Sequence, residues 1–104
     1  MQAILVYMTA ASDEEADKIA EALLADRLVA CVNVLPGMRS RYFWKGALES
    51  AAEVVVIAKT RAALLPDVVE KVRSVHSYEV PCVVSLPITG GNPDFLEWIS
   101  AETR

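Results

Sequence analysis

The chain has 104 residues, 54% of them hydrophobic and 23% charged, and a formal net charge of −4 at pH 7. That length is natural for one domain, 1–104, and that apolar content supplies a core and excludes a disordered chain. The acidic balance disfavours nonspecific nucleic-acid binding, which feeds on a basic surface, and no apolar run reaches the ~20 residues that a membrane-spanning helix needs.

Ala3-Ile4-Leu5-Val6-Tyr7-Met8 is a short, partly β-branched apolar run, which predicts a central strand buried on both faces. It lacks a basic leader and runs straight into acids, so it does not read as a signal peptide. Ser12-Asp13-Glu14-Glu15 then forms a capping box, with the Ser12 hydroxyl accepting from the Glu15 amide and Glu15 reaching back. The helix it opens buries Ala16, Ile19, Ala20, Leu23 and Leu24 at helical spacing and ends near Asp26 to Leu28.

Val29 to Thr60 reads as two long strands folded back on each other at Lys45-Gly46, since Gly accepts the positive φ of a tight hairpin turn. Going out, Cys31, Asn33 and Leu35 alternate with Val32 and Val34; further on, Ser40, Tyr42 and Trp44 alternate with Arg41 and Phe43. At ~3.3 Å per residue, Ala30 to Trp44 spans roughly 45 Å, more than the roughly 34 Å diameter of a compact domain of this size. The hairpin must bend, for which Pro36-Gly37 is the candidate, or overhang. An overhang bearing Tyr42, Phe43 and Trp44 calls for a partner to cover it, hence an obligate oligomer.

Pro66 fits only in the first turn of a second helix, which places its start near Ala62 to Leu65 and its apolar face on Leu65, Val68 or Val69, Val72 and Val75. Pro81 marks the entry to a strand over Cys82 to Leu86, and Pro87 ends it or puts it at an edge. Asn92-Pro93 caps a closing helix that presents Phe95, Leu96 and Ile99, with Trp98 at the margin. The order β-α-β-β-α-β-α predicts an α+β, ferredoxin-like sandwich with a long central hairpin and an extra C-terminal helix.

Chemistry-bearing residues are few. His76 is the only histidine and falls at the end of the second helix, where the dipole favours an imidazolium; a metal ligand or acid/base group is the functional alternative. Cys31 and Cys82 stand fifty-one positions apart and form neither a CxxC nor a zinc pattern, so they read first as reduced thiols of a cytoplasmic protein and second as a structural disulfide. With His76 they would make a soft-ligand site for copper(I) or zinc. A Cys-His thiol enzyme lacks an orienting Asn or Asp near His76. Arg39 and Arg41 share a face of the outgoing strand; such charges first read as guards against edge aggregation, and second as a site for an anion or acidic partner.

The order Ala30-Cys31-Val32-Asn33, Pro36-Gly37, Ser40-x-Tyr42-x-Trp44, Glu53, Lys59-Thr60, His76-x-Tyr78-x-x-Pro81, Leu86-Pro87 and Phe95-Leu96-x-Trp98 resembles the CutA divalent-cation-tolerance family over essentially the whole chain. The resemblance implies a tight homotrimer with hairpins pairing across subunits, handling of metal ions and notably copper in the cytoplasm, kinship in architecture with PII signal proteins, and no catalytic reaction. It places Cys31 and His76 on positions linked to metal, and Tyr42, Trp44, Lys59, Tyr78 and Trp98 around an intersubunit cleft. Cys82 follows Pro81 where relatives commonly carry Glu, and Ser77 follows His76 where Pro is frequent. A thiol there turns the expected ligand set, His76, Cys82 and Cys31, towards softer ions. The expected protein is therefore a trimeric, non-catalytic metal binder acting in divalent-cation tolerance. It requires no cofactor; copper or another divalent cation is its expected ligand. The alternative is a PII-like signalling or scaffold trimer that binds a small anion or a protein partner.

Overall fold

In the computed structural model, which describes residues 1–104, the chain forms β1 (Ala3–Ala10), α1 (Asp13–Ala25), β2 (Cys31–Trp44), β3 (Ala47–Arg61), α2 (Leu65–Val75), β4 (Val83–Pro87) and α3 (Pro93–Glu102). The strands make one antiparallel sheet in the order β2-β3-β1-β4. This is the ferredoxin-like α+β sandwich that the order of elements predicts, with the long hairpin and the added helix.

Local chemistry explains the boundaries. The Ser12 hydroxyl accepts from the Glu15 amide at 3.1 Å, and Glu15 reaches back to the Ala11 amide at 3.0 Å. At its other end α1 stops because Arg27 takes a left-handed φ of 52°, while Arg27 N–H bonds Leu24 and Leu28 N–H bonds Leu23. A 3-10 turn, Ala62–Leu64, leads into α2, whose first turn holds Pro66 where no amide is needed. Asn92 caps α3 through its side chain, which accepts from Asp94 N–H at 3.1 Å.

The core lies between the two helices α1 and α2 and one sheet face. Ile4, Val6, Met8 and Ala10 of β1 and Val54, Val56 and Ala58 of β3 meet Ala16, Ile19 and Leu23 of α1 and Val68 and Val72 of α2. Each such side chain contributes roughly 1.5–3 kcal/mol by leaving water. Of the predicted α1 stripe, Leu24 is instead exposed, and of the predicted α2 stripe Val68 and not Val69 is fully buried.

The other sheet face is covered at one end only. Phe95 of α3 sits below Lys59, and Thr103 takes a hydrogen bond from Arg61 at 3.0 Å, so α3 lies over the end where Ala3 pairs with Arg61. Leu5 and Tyr7 are accordingly only half-buried. The expectation that β1 is buried on both faces therefore fails in the single chain: one face is sealed by helices, the other is largely open.

The hairpin both bends and overhangs. Leu35 pairs with Val55 but Met38 pairs with Glu53, so β2 carries one extra residue at a bulge where Gly37 has φ 86°. Its turn uses Lys45 at φ 51° and Gly46 at φ 82°, the paired positive values of a type I′ turn. Beyond the bulge the ribbon leaves the helices behind: residues 41–50 are all exposed, and the molecule measures 44 × 25 × 23 Å.

Candidate functional site

The bulge decides what the outer hairpin presents. Before it, Cys31, Asn33 and Leu35 share the face of Lys59, Ile57 and Val55. One extra residue reverses the alternation, so Met38, Ser40, Tyr42 and Trp44 take over that face, opposite Glu53, Ala51, Glu49 and Ala47. Without it, Arg39, Arg41 and Phe43 would stand there.

The segment after α2 supplies the facing wall. The His76 side chain is 0% exposed and both its ring nitrogens are engaged. Nε2 lies 2.7 Å from the Thr9 carbonyl oxygen, which can only accept, so Nε2 carries the proton; Nδ1 then accepts from the Tyr78 amide at 3.0 Å. Glu15 fixes the same segment from α1, its Oε2 accepting from the Ser77 amide at 2.9 Å. Burial, the largest single influence, pushes the Glu15 carboxyl up; the bonds from Ala11 and Ser77, with the nearby His76, outweigh it and hold the group below its ordinary value. Tyr78, whose ring packs on His76 at 4.6 Å between centroids, is thereby aimed at β3, and its hydroxyl donates to Glu53 Oε2 at 2.9 Å.

Between these walls runs an open cleft of about 800 Å³, lined by Arg39, Arg41, Tyr42 and Trp44 from the hairpin and by Tyr78 and Cys82 from the segment, with Glu53 between them. Glu53 is only 8% exposed and takes part in no ion pair. Burial first, and then the Glu53 carboxylate, push the Cys82 thiol up; burial and the bond to Glu53 do the same to Tyr78. Glu79 also lines the cleft, but its carboxylate is drawn to Lys45 at 3.8 Å, across the mouth.

The predicted site residues thus divide. Tyr42, Trp44, Tyr78 and Cys82 meet in the cleft, whereas His76 lies behind its wall. Cys31, Lys59 and Trp98 gather elsewhere, near α3. Lys59 Nζ lies 3.9 Å from Cys31 Sγ and 3.1 Å from Asn33 Oδ1, and it stands 6.0 Å above the Phe95 ring, which packs against Trp98. No three His, Cys, Asp or Glu side chains come together in the chain, so His76, Cys82 and Cys31 do not converge on one ion within it. Cys82 precedes β4 rather than opening it, which leaves its thiol in the cleft instead of in the strand. Sequence reasoning missed Glu53 as a site residue. Its signal was a lone carboxylate directly before the apolar run Val54 to Ala58.

Fold and cleft define a ferredoxin-like subunit with a polar, aromatic-walled binding cleft beneath an overhanging hairpin. Residues 4–102 match the family described as CutA1 divalent ion tolerance protein, and the chain belongs to that family. It is 43% identical over 101 residues to Protein CutA 1, chloroplastic, of Oryza sativa, covering 97% of this chain and 57% of that protein. It is 44% identical over 94 residues to the divalent-cation tolerance protein CutA of Archaeoglobus fulgidus, covering 90% of this chain and 91% of that one. The crystal structure of CutA1 from Oryza sativa superposes with a TM-score of 0.97 at 41% identity, covering 100% of this chain and 95% of that chain. The chain spans just over half the length of the rice protein and of other plant and animal relatives that it matches.

Proposed function

We propose that this chain is a non-catalytic homotrimer acting in divalent-cation tolerance, and that it takes a metal ion, copper foremost, in the cleft beside Glu53 and Cys82. One observation carries the reading: a nearly buried carboxylate that makes no ion pair, although Arg39 and Arg41 line the same cleft, set beside a thiol. A carboxylate so placed is a hard oxygen donor turned into the cleft, where a cation would find it. The thiol adds a soft donor that favours copper. The tolerance to divalent cations in the names of the relatives supports the same class of ligand.

Two donors are fewer than the three or four of an ordinary soft-metal site, so water or a second copy completes it. A second copy has reason to be there, because the open sheet face leaves Leu35 50%, Val84 52% and Leu86 53% exposed. Cys31, Lys59 and Trp98 of a neighbouring copy are the candidates for closing the cleft. His76 acts through the loop: its two bonds hold Tyr78, and Tyr78 holds Glu53.

Calorimetric titration under reducing conditions tests this reading. Uptake of copper(I), copper(II) or zinc tighter than ~10 μM, about −7 kcal/mol, is expected, with Glu53→Gln and Cys82→Ser each weakening it about tenfold or more. No uptake at that level contradicts it.

A further inference from the structure

Two cysteines and three methionines give the chain its sulfur, and four of these side chains have evident places. Cys82 lines the cleft, Cys31 lies beside Lys59, Met8 is in the core and Met1 is exposed. Met38 is the fifth. It is half-buried on β2, and the Tyr7 hydroxyl donates to its Sδ at 3.4 Å, which holds the flexible thioether in place. A side chain needed only to cover this face could be aliphatic, as Leu35 and Val55 are one pair earlier in the ladder. Sulfur adds a soft donor, and the Tyr7 hydroxyl occupies only one of its two lone pairs.

Register gives that donor a use. Met38 pairs directly with Glu53, and side chains so opposed stand about 4.5–5.5 Å apart at Cβ. The bond from Tyr78 engages Glu53 Oε2 and leaves Oε1 free. The bulge at Gly37 creates this pairing: without the extra residue Arg39 would face Glu53, where a guanidinium would take the carboxylate in an ion pair. With it, an uncharged thioether stands there instead. Glu53 thus has a thiol, Cys82, on the segment side of the cleft and a thioether, Met38, across the ladder. Three rotatable bonds let Met38 swing its sulfur from the Tyr7 hydroxyl to an ion at Glu53. We propose that Met38 is a third ligand of the ion held by Glu53 and Cys82, and that its thioether makes the site select copper(I) over zinc. Zinc is bound regularly by thiolate, imidazole and carboxylate, whereas copper(I) takes thioether as well as thiolate. The inference rests on the cation reading and adds the metal's identity to it. All three donors belong to one chain, so it needs no face of the hairpin left uncovered by other copies.

The test is anaerobic competition titration of the full chain with copper(I) against a chromogenic chelator, with zinc titrated separately. Met38→Leu nearly conserves the side-chain volume and removes the sulfur. It should lower the preference for copper(I) over zinc at least about tenfold. X-ray absorption of the copper-loaded protein should show at least two sulfur neighbours in the parent and one fewer in Met38→Leu. An unchanged preference, a single sulfur neighbour in the parent, or a count that Met38→Leu leaves unchanged overturns the inference. The cation reading survives that result if Glu53→Gln and Cys82→Ser still weaken uptake. A parent that takes up no copper(I) overturns the inference, and one that takes up no copper(I), copper(II) or zinc overturns the reading as well. Should Met38→Leu fail to fold by circular dichroism, the sulfur count of the parent decides alone.

Discussion

At the scale of single residues, the cleft depends on two ionisable groups held by long-range bonds. Tyr78 keeps its proton above its ordinary value of 10.0, owing to burial and the bond to Glu53. Its contribution to stability is therefore fully present below pH 10 and is lost as pH climbs through the raised value. Tyr78→Phe should cost about 1.5–3 kcal/mol, the worth of a bond to a charged acceptor, in urea melts at fixed chain concentration. It should also flatten the fall in stability above pH 10 that the parent shows. Glu15 runs the other way. Its carboxyl lies below the ordinary 4.5 in the folded chain, so its contribution is present above pH 4.5 and lost as pH falls through the lowered value. Glu15→Gln should make stability less sensitive to acid as pH falls below the ordinary carboxyl value of 4.5, read from melting temperature against pH. Both residues could be found in the sequence, but only in part. Glu15 was visible as the back half of a capping box, because that bond spans a few residues. Its bond to Ser77, sixty-two positions away, and that of Tyr78 to Glu53, twenty-five away, have no local signature.

At the scale of elements, the hairpin was the most legible part of the chain. Its turn dipeptide, its Pro-Gly interruption and the change in alternation between Leu35 and Ser40 were all readable, since a strand period of two shows a flip directly. The bulge that makes the flip rests on Gly37, where a Cβ would meet no atom within 4 Å but the φ of 86° is unfavourable for any L side chain. Gly37→Ala should thus destabilise by about 1–2 kcal/mol through backbone strain alone, without a packing clash. Lys45 already bears such strain at φ 51°. Lys45→Asn should leave stability unchanged or raise it by up to about 1 kcal/mol, because the ion pair it gives up with Glu79 is 71% exposed on both sides. The end of α1 was harder to read. A helix that closes on a left-handed residue normally announces it with Gly, and Arg27 stands there instead.

At the scale of the whole molecule, one chain is visibly unfinished: its hairpin projects from the helices and much of one sheet face is uncovered. The length of Val29 to Thr60 gave the first of these in advance, by simple rise per residue. The second was hidden, because a run such as Val54 to Ala58 looks the same whether its far side meets helices or another copy. If copies of the chain cover that face, Val84→Lys/Leu86→Lys should convert a trimer into monomers by light scattering, since charges cannot be buried there unpaired. The division of the predicted ligands has the same origin. Sequence spacing could not tell that Cys31 and Cys82 flank different regions of the sheet, and Glu53 became a candidate only once its burial was known. The central claim is that a metal ion sits with Glu53 and Cys82. Anomalous difference density from copper-soaked crystals tests it most directly: a peak about 2–2.4 Å from Cys82 Sγ or a Glu53 carboxylate oxygen is expected. A peak at His76 or Cys31 with none in the cleft, or no peak at all, would contradict it.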